Sequence, residues 1–402
     1  MVLNLILATL VFLSFALTLW QFVVAMRFSL HQRVTDTGYQ PPVTLLKPLK
    51  GADAGSLHCL ESWLRQDYAG PMQVLFGAAS AGDPVCEIVR QLTAALPGRD
   101  AQLVICGDSP GANSKVATLV QLHRQAKHDV IIVSDADVHV APDVVANVVA
   151  PLRNPEVGLV NCFYRLANPC TLAMHWEAVA VNADFWSQVL QSQSLKPLDF
   201  ALGAVMATTR KQLDAIGGFE ALVDFLADDY QLGNRIAGRG GRIVISPVVV
   251  ECRESPKGWP QVWRHQLRWA RTIRVCQPLP YFFSILGNAT LWPLLWLLAS
   301  LPSTDLSFNA APGTTTLLVT VHFPFAVWVA AICLFTRVVT ALDQQRRLNR
   351  STAHLGFFWL VPVKDLLGAL IWALAFLGNT VEWRGQRYRV RRGGRLVKGF
   401  NP

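Results

Sequence analysis

The stretch His128–Val140 reads His-Asp-Val-Ile-Ile-Val-Ser-Asp-Ala-Asp-Val-His-Val. Its four consecutive apolar residues, mostly β-branched and bounded by polar ones, predict a strand buried on both faces. Two acids, Asp135 and Asp137, follow this strand one residue apart. Because ligands bind beyond the carboxyl ends of the strands in open α/β sheets, we expect both acids at the mouth of a cleft.

Carboxylates in that position are suitable ligands for Mg²⁺ or Mn²⁺. These ions prefer hard oxygen ligands and usually take the remaining ones from water and from substrate phosphates. A D-x-D sequence is also common in solvated turns, so this one predicts a metal site only together with the rest of the chain.

The composition favours a membrane protein with one soluble domain. The chain has 402 residues, of which 52% are hydrophobic and 16% charged, and its mean hydropathy is +0.31. That length allows two domains, or one domain plus membrane segments, and the hydropathy favours the second. The net charge of +9 fits an anionic partner or a cytoplasmic membrane surface. The eight cysteines form no C-x-x-C pair, which argues against a zinc site or a disulfide framework and for a reducing compartment.

Residues 1–27 are predicted to form an N-terminal transmembrane anchor. Residues 2–26 are almost unbroken apolar sequence, long enough to cross a bilayer. A cleaved signal peptide is the alternative, but no Lys or Arg precedes the run and it has no clear cleavage site. Arg27, His31 and Arg33 follow, so the positive-inside rule places the next segment in the cytoplasm.

Residues 40–255 are predicted to form a cytoplasmic domain of the α/β class, because short apolar runs alternate there with amphipathic helical patterns. The predicted strands are Val43–Leu46, Gln73–Phe76, Gln102–Cys106, Val130–Val133, Val157–Asn161, Gly203–Thr208 and Arg242–Ile245. The predicted helices between them include Ser56–Gln66, Pro84–Leu96, Ser114–Lys127 and Pro142–Leu152. This alternation predicts a doubly wound, mostly parallel sheet. The sequence has neither a G-x-G-x-x-G fingerprint nor a G-x-x-x-x-G-K-[ST] loop, so NAD and ATP chemistry lack their usual signals.

Three polar clusters lie directly after a predicted strand or at the start of a predicted helix. Lys47 comes directly after the first strand, where it could hold a nucleotide or simply be solvated. Asp83 precedes a proline, which is also a common helix cap. Lys115 closes the Gly111–Lys115 loop at the start of a helix, a suitable phosphate site, although an ordinary Ser-capped helix looks the same.

Two further clusters lie closer to the C-terminus. Asp228 and Asp229 begin a predicted helix that runs to about Arg239; the helix dipole alone favours acids there. Residues 256–278 are predicted to form an amphipathic interface helix that is rich in Arg and Trp. Such helices usually lie at a membrane surface with their arginines on lipid phosphates. Alternatively, this helix binds a diphosphate from the membrane side.

Residues 279–380 are predicted to hold the C-terminal membrane segments. The three apolar stretches are Leu279–Leu301, Leu317–Phe335 and Leu355–Leu377. The basic tail 381–402 is predicted to be cytoplasmic, and so is the loop before the third stretch, with Arg337, Arg346, Arg347 and Arg350.

Since the α/β domain is predicted to be cytoplasmic as well, the number of crossings between it and the tail must be even. The third stretch contains Pro362, Lys364 and Asp365, and charge within a membrane usually marks a protected or functional place. We therefore expect that stretch to be re-entrant or interfacial. Two snorkelling residues near a helix end are the alternative, and the first stretch could be the interfacial one instead.

The order of these clusters resembles that of inverting GT-A glycosyltransferases. Within that group, the chain looks most like the ceramide glucosyltransferase family, including bacterial relatives that glycosylate hopanoids. The matching stretches are Leu46–Gly51, Asp83–Pro84, Gly111–Lys115, Asp135–Asp137, Gly217–Phe219, Ala227–Tyr230, Arg268–Trp269 and Val381–Val390.

The resemblance implies a GT-A domain, a UDP-sugar donor, a membrane-lipid acceptor, a divalent metal and no nucleic acid. Asp229 matches the family's general base. Asp135 and Asp137 would bind the metal, and Asp135 also the donor. The other residues implied in substrate binding are Lys47, Asp83, Lys115, Asp228, His265, Arg268 and Trp269.

Two positions depart from the family pattern. His265 occupies a place that normally holds Gln or Arg, and Asp137 stands where animal ceramide-type members have Gly. The second difference favours the bacterial members and hence the bacterial inner membrane. The other possibilities are a hopanoid glycosyltransferase that uses UDP-N-acetylglucosamine, a processive polysaccharide synthase, and a non-enzymatic transporter or scaffold.

Overall fold

The computed structural model describes residues 2–34, 38–107, 111–300, 306–311, 314–319, 325–383 and 385–398. Its centre is an eight-stranded sheet. The strands, β1 to β8 in chain order, are Val43–Leu49, Met72–Ala78, Asp100–Ile105, Val130–Ser134, Val138–His139, Val157–Leu166, Val205–Thr209 and Arg242–Cys252. Their order in the sheet is β3-β2-β1-β4-β7-β6-β8-β5.

The sheet is mostly parallel, as predicted. Strand β1 pairs in parallel with β2 and β4, β2 with β3, and β6 with β8. Strand β7 runs antiparallel to both of its neighbours, and the short β5 runs antiparallel to β8. The carboxyl ends of β1, β4, β6 and β8 therefore lie along one edge, where the predicted site residues should meet.

Apolar side chains cover both faces of the sheet. In β1, Leu45 packs into one hydrophobic cluster and Leu46 into the other, because successive residues of a strand point to opposite faces. Ile132 and Ile131 divide in the same way in β4. Every residue of these two strands is buried, which explains why their sequences are mostly apolar on both faces.

In the part of the chain that the structure describes, ten α-helices, α1 to α10, precede the predicted C-terminal membrane segments. They are Val2–Arg27, Ser56–Leu64, Val85–Ala95, Ser114–Arg124, Val144–Val149, Leu172–Val179, Trp186–Gln193, Arg210–Ala215, Asp228–Ala237 and Trp259–Cys276. Helices α2 and α3 contribute Trp63 and Val89 to one face of the sheet, and α4 contributes Leu119 to the other, so the sheet is doubly wound. A π-helix, Ala180–Phe185, joins α6 to α7.

The elements beyond α10 differ from the predicted stretches. Helices α11 to α14 are Pro278–Phe283, Leu291–Ala299, Phe325–Asn349 and Leu360–Ala375. Strands β9 to β13 are Leu306–Ala311, Thr314–Val319, Thr380–Trp383, Gln386–Val390 and Leu396–Lys398. By length and composition, α1 and α13 could each cross a membrane, and the segment from 278 to 299 could be a third span although it bends by 55°.

Two expectations about this region are wrong in detail. The first apolar stretch forms a pair of helices with a bend of 55°, which is compatible with a broken span or with a re-entrant segment. The second was placed at Leu317–Phe335, but Thr314–Val319 is a strand paired with β9, residues 320–324 lie outside the described ranges, and the helix begins at Phe325. Arg337 was expected in a loop and instead lies within α13.

The third stretch contains α14, whose charges are paired inside the protein. The Arg337 guanidinium lies 2.8 Å from an oxygen of Asp365, and Lys364 contacts both Asp365 and Asp184. Thr290, which precedes α12, donates a hydrogen bond of 2.7 Å to the same Asp365 carboxylate. Lys364 and Asp365 therefore hold α13, α14 and the broken helix pair together. They are not two snorkelling residues near a helix end, which was the alternative.

Candidate active site

Lys115 brings the two acidic motifs together. Its ammonium group lies 2.7 Å from Asp135 Oδ1 and 3.1 Å from Asp228 Oδ2. Asp135 follows β4, Asp228 begins α9, and Lys115 lies in the first turn of α4. Burial opposes the charged form of Lys115, but the two carboxylates outweigh it and raise the lysine's pKa. The cap of α4 is Asn113, which accepts the Lys115 N–H at 3.0 Å, and not Ser114, the cap in the alternative interpretation.

Asp137 lies in the turn between β4 and β5. Burial raises its pKa to about 7, with Asp135 and Glu254 adding to the effect. Its carboxylate forms no ion pair within the described part of the chain. The backbone around it is fixed, because its carbonyl accepts the Arg253 N–H at 3.0 Å. The site thus holds a partly buried carboxylate without a cation of its own.

Asp229 lies in the first turn of α9, next to the acid that Lys115 contacts. Its Oδ1 accepts the backbone N–H of Tyr230 at 2.7 Å. Its Oδ2 faces Gly203, where an added Cβ would come within 2.8 Å. Burial and the neighbouring Asp228 raise the pKa of Asp229 to about 6, although Lys115 counteracts them. A carboxyl group with such a pKa is well suited to take a proton near neutral pH.

Asp83 lies after β2, as predicted, and connects two strand exits. Both of its oxygens lie 3.0 Å from the backbone N–H of Gly51, which follows β1. Its Oδ1 also accepts the N–H of Val85, the first residue of α3, at 3.0 Å. Because β1 and β4 are neighbours in the sheet, Asp83 lies along the same edge as the Lys115 cluster.

Lys47 does not lie where the sequence suggested. Strand β1 continues through it to Leu49, and the side chain is completely buried. Its ammonium group donates to the carbonyl of Asp135 at 2.6 Å and lies 5.1 Å from the centre of the Trp63 ring. Burial lowers the pKa of Lys47 to about 8. Any contribution of Lys47 to a ligand would therefore act through the position of Asp135.

Helix α10 carries the Arg-Trp motif. His265 Nδ1 lies 2.6 Å from Oε1 of Glu177, a buried residue of α6. The Trp269 ring lies 4.8 Å from the His265 ring and 6.0 Å from the Phe185 ring. Arg268 is partly buried on the same helix. His265, which stands at the position expected to hold Gln or Arg, is thus held by the buried carboxylate of Glu177.

Tyr164 is a site residue that the sequence analysis missed. Burial raises its pKa well above the ordinary value, and the charges of Asp229, Asp135 and Asp137 add to the effect. Its ring lies 5.4 Å from that of Phe185, which in turn contacts Trp269. One tyrosine near the end of a strand matches no motif, so nothing in the sequence marked it. Through Phe185, the Tyr164 ring is in contact with the Arg-Trp helix, and its pKa responds to the charges of the acids.

The acids are chemically suited to a divalent cation. Two carboxylates one residue apart supply hard oxygen ligands, and Asp137 lacks a cationic partner within the described ranges. No three His, Cys, Asp or Glu side chains in the described part of the chain are close enough to hold an ion by themselves. The other ligands would therefore come from water or from a substrate, as is usual for Mg²⁺.

Comparison with known proteins gives a consistent result. The sequence matches the family model of glycosyl transferase family 21 over residues 5–396. Ceramide glucosyltransferase 3 of Caenorhabditis elegans is 22% identical over 374 residues, which are 92% of this chain and 77% of the relative. An N-acetylglucosaminyltransferase of Sinorhizobium fredii is 24% identical over 377 residues, which are 87% of this chain and 85% of the relative.

Among solved structures, a mannosyltransferase from Pyrobaculum calidifontis in complex with GDP-Man and Mn²⁺ resembles this chain with a TM-score of 0.52 and 21% sequence identity. The match covers 92% of this chain and 98% of the mannosyltransferase. Together with the mixed, mostly parallel sheet, it confirms the GT-A fold. Because this family model matches residues 5–396, the chain belongs to glycosyl transferase family 21.

Proposed function

We propose that this protein is a membrane-bound inverting glycosyltransferase that moves a hexose from a UDP-sugar to the hydroxyl group of a membrane lipid. UDP-glucose is the favoured donor and ceramide the favoured acceptor, because the relatives include ceramide glucosyltransferases. The single observation that carries the proposal is the double contact of Lys115 with Asp135 and Asp228. It supports a site in which the acid assigned to the donor lies beside the pair that contains the assigned base.

In this proposal the donor occupies the edge formed by the carboxyl ends of the strands. Asp83 and the Lys115 loop line its uridine and diphosphate, and Asp135 and Asp137 hold Mg²⁺ or Mn²⁺. When bound, the cation neutralises charge that develops on the departing diphosphate. His265, Arg268 and Trp269 close over the diphosphate and the acceptor site.

Asp229 acts as the general base. Its Oδ1 already accepts the Tyr230 N–H, so Oδ2 is the oxygen that takes the proton from the lipid hydroxyl. A positioned carboxylate of this kind typically accelerates a reaction by ~10²–10⁴-fold. A base without a second carboxylate nucleophile implies one displacement step at the anomeric carbon, with inversion of configuration.

The lipid acceptor reaches Asp229 from the membrane segments. Tyr230, the next residue, accepts a hydrogen bond of 2.9 Å from Gln277, and its hydroxyl lies 3.4 Å from the carbonyl of Cys276. These residues connect α10 to α11, the first of the C-terminal apolar helices. The catalytic domain is cytoplasmic in this proposal, with α1, the bent pair and α13 crossing the membrane.

A second candidate is transfer of N-acetylglucosamine to a hopanoid or similar lipid. The bacterial N-acetylglucosaminyltransferase relative favours it, since that match covers most of both chains. A processive polysaccharide synthase is disfavoured, because the described residues contain two helices long enough to cross a membrane, or three with the bent pair. A polymer channel should need more.

The decisive experiment measures UDP release by the purified full-length protein. UDP-glucose, UDP-N-acetylglucosamine and UDP-galactose are each supplied with ceramide, with a hopanoid, or without lipid, and mass spectrometry identifies the product. The expected result is UDP release that depends on lipid and yields a lipid bearing one hexose of inverted configuration. Release without a glycolipid product, or a polymer product, would refute the proposal.

Asp229→Asn should abolish transfer while UDP-sugar binding survives. Asp214→Asn is the matched control, because Asp214 is exposed on α8, which starts beside Asp129 at the opposite edge of the sheet. A normally active Asp229→Asn protein would remove Asp229 from the mechanism.

A further inference from the structure

The C-terminal sheet presents a row of exposed arginines. In β12, Arg387 and Arg389 are exposed, and Arg391 and Arg392 are exposed in the turn that follows. We call these four residues the basic face. None of them forms an ion pair with a residue in the described ranges, whereas the nearby Arg395 and Arg264 contact Asp224 and Glu382.

The basic face points away from the protein because the alternate residues of β12 point inward. Tyr388 and Val390 are buried and pack with Leu226, Val381 and Leu396. Residues one apart in a strand project to opposite sides, so Arg387 and Arg389 project outward together. A small hydrophobic core therefore fixes the position of these two arginines in a packed sheet.

An exposed apolar patch adjoins the sheet. It consists of Leu279, Phe282, Phe283, Phe376 and Leu377, and the exposed fractions range from 41% for Phe376 to 79% for Leu377. The rings of Phe282 and Phe376 both contact Trp372, so the patch joins α11 to the end of α14. Strand β11 begins three residues after Leu377, so the sheet that carries the basic face follows the patch directly along the chain.

The C-terminal sheet also supports the loop that leads into the acid pair. The Leu226 N–H donates to the Gly394 carbonyl at 2.9 Å, and the Leu396 N–H donates to the Asp224 carbonyl at 2.7 Å. Gln231, one turn beyond the acids in α9, donates to the Gly393 carbonyl at 2.7 Å. The turn of the basic face is therefore bonded on both sides of Asp228 and Asp229.

The same sheet contacts the Arg-Trp helix. Arg274 of α10 donates to the Gly378 carbonyl at 3.3 Å and also contacts Asn379, and Arg271 contacts the Thr380 carbonyl. A shift of the sheet would therefore move both elements that the proposed function assigns to catalysis, the start of α9 and helix α10.

We propose that the basic face binds the anionic headgroups of membrane phospholipids and that this contact holds the loop before Asp228 and helix α10 in their working positions. The arrangement of the surface identifies the partner. Exposed aromatic and aliphatic groups suit the acyl boundary of a bilayer, and exposed arginines beside them lie at the depth of the phosphates. A nucleic acid would match the charge but not the adjoining apolar patch. The catalytic part of this inference rests on the proposed function.

The test uses the full-length protein in lipid nanodiscs of phosphatidylcholine alone or of phosphatidylcholine mixed with phosphatidylglycerol. Each arginine near an anionic membrane strengthens the attraction by about fivefold at moderate salt. We expect faster UDP release in the anionic nanodiscs, and we expect added salt to reduce the difference. Arg387→Gln with Arg389→Gln should remove most of the stimulation and leave the rate in neutral nanodiscs unchanged.

Arg239→Gln with Arg242→Gln is the matched control. Both residues are exposed, and they lie at the amino end of β8, away from the C-terminal sheet. This control loses the same charge and should retain the full stimulation. Equal rates of the wild-type protein in the two nanodiscs, or full stimulation of the Arg387/Arg389 variant, would overturn the proposal.

A second measurement does not depend on catalysis. Trypsin cuts after arginine, so headgroup binding should slow cleavage after the residues of the basic face in anionic nanodiscs but not in neutral ones. Slower cleavage without any transferase activity would retain the lipid contact and reject the proposed function. Cleavage at the same rate in both nanodiscs would reject the lipid contact, whatever the activity.

Discussion

Arg337 in α13 donates a hydrogen bond of 2.9 Å to Asp184 in the π-helix that precedes α7. The same guanidinium donates to both oxygens of Asp365 at 2.8 Å, and both carboxylate side chains are only 5% exposed. The residue after Asp184 is Phe185, whose ring lies between Tyr164 and Trp269. A helix long enough to cross a membrane is thus joined to the candidate active site by a buried ionic contact.

Arg337→Met should destabilise the protein strongly. It leaves two buried carboxylates with Lys364 as their remaining cation, and breaking a buried ion pair costs roughly 3–5 kcal/mol. Thermal unfolding in detergent is the measurement. Arg346→Met is the control, since Arg346 is exposed on the same helix and should tolerate the change.

Charge balance, rather than the arginine itself, should account for most of that loss. The double variant Arg337→Met with Asp365→Leu leaves Lys364 paired with Asp184 and no unpaired charge. Replacing a buried ion pair by apolar groups is often neutral, so the double variant should unfold at a higher temperature than the single one. If the double variant is no more stable than Arg337→Met, charge balance does not account for the stability that Arg337 contributes.

Lys115→Met should eliminate most transferase activity. Without the ammonium group, Asp135, Asp228 and Asp229 are like charges in a partly buried site, and the donor loses a candidate phosphate contact. We expect kcat/KM to fall by about 10²-fold or more, as when a single preorganised charged contact is removed. Lys196→Met serves as control because its ion pair with Asp199 is exposed. Activity near the wild-type level would show that the bridge is not needed.

The pH dependence should follow Asp229. Burial and Asp228 raise the pKa of Asp229 to about 6, and the base acts only when it is deprotonated. The rate should therefore decline as the pH falls through about 6. If the base had the ordinary pKa of a carboxyl group, the rate would decline only at about pH 4, near that pKa. Lys115 favours the charged form, so any residual activity of Lys115→Met should require a higher pH. A profile that is flat between pH 5 and 8 would contradict this assignment.

The β-branched run before Asp135 was enough to predict the central buried strand, because its sequence leaves no polar face. The bounds of β1 were not predictable, since Lys47 looks like the end of a strand in sequence. It stays buried only because Ser134 and the Asp135 carbonyl, on the neighbouring strand, accept its hydrogen bonds. The prediction that Arg337 lies in a loop was wrong for the same reason, because its partner Asp184 is remote in the sequence.

The grouping of the site also depended on the tertiary fold. Each acid was visible as a strand-end or helix-start residue, but its distance from the others depends on strand order, which the sequence does not give. The structure brings Asp135 and Asp228 to one lysine. Tyr164 became visible only when its strand was placed among these acids, because an isolated tyrosine has no spacing pattern.

Removing divalent cations should stop transfer. Asp135 and Asp137 would offer two carboxylates to the cation, and Mg²⁺ is usually bound by one or two carboxylates together with substrate phosphates. EDTA should abolish UDP release, and excess Mg²⁺ or Mn²⁺ should restore it. Asp137→Asn should weaken Mn²⁺ binding measured by electron paramagnetic resonance in the presence of UDP, while Asp214→Asn should not. Full activity in chelator would refute a metal-dependent reaction.

Tyr164→Phe should reduce the reaction without unfolding the protein. The substitution keeps the ring and its contact with Phe185, and it removes only a hydroxyl whose pKa is raised by burial and by nearby charges, including those of Asp229, Asp135 and Asp137. Since burial keeps that hydroxyl protonated, it can donate a hydrogen bond to the donor sugar or to the acceptor. We expect kcat/KM to fall by about tenfold, which corresponds to one ordinary hydrogen bond. Tyr68→Phe is the control, because Tyr68 donates to the Pro41 carbonyl before β1. It should lower the unfolding temperature and leave kcat/KM unchanged; the same result for Tyr164→Phe would assign Tyr164 to packing alone.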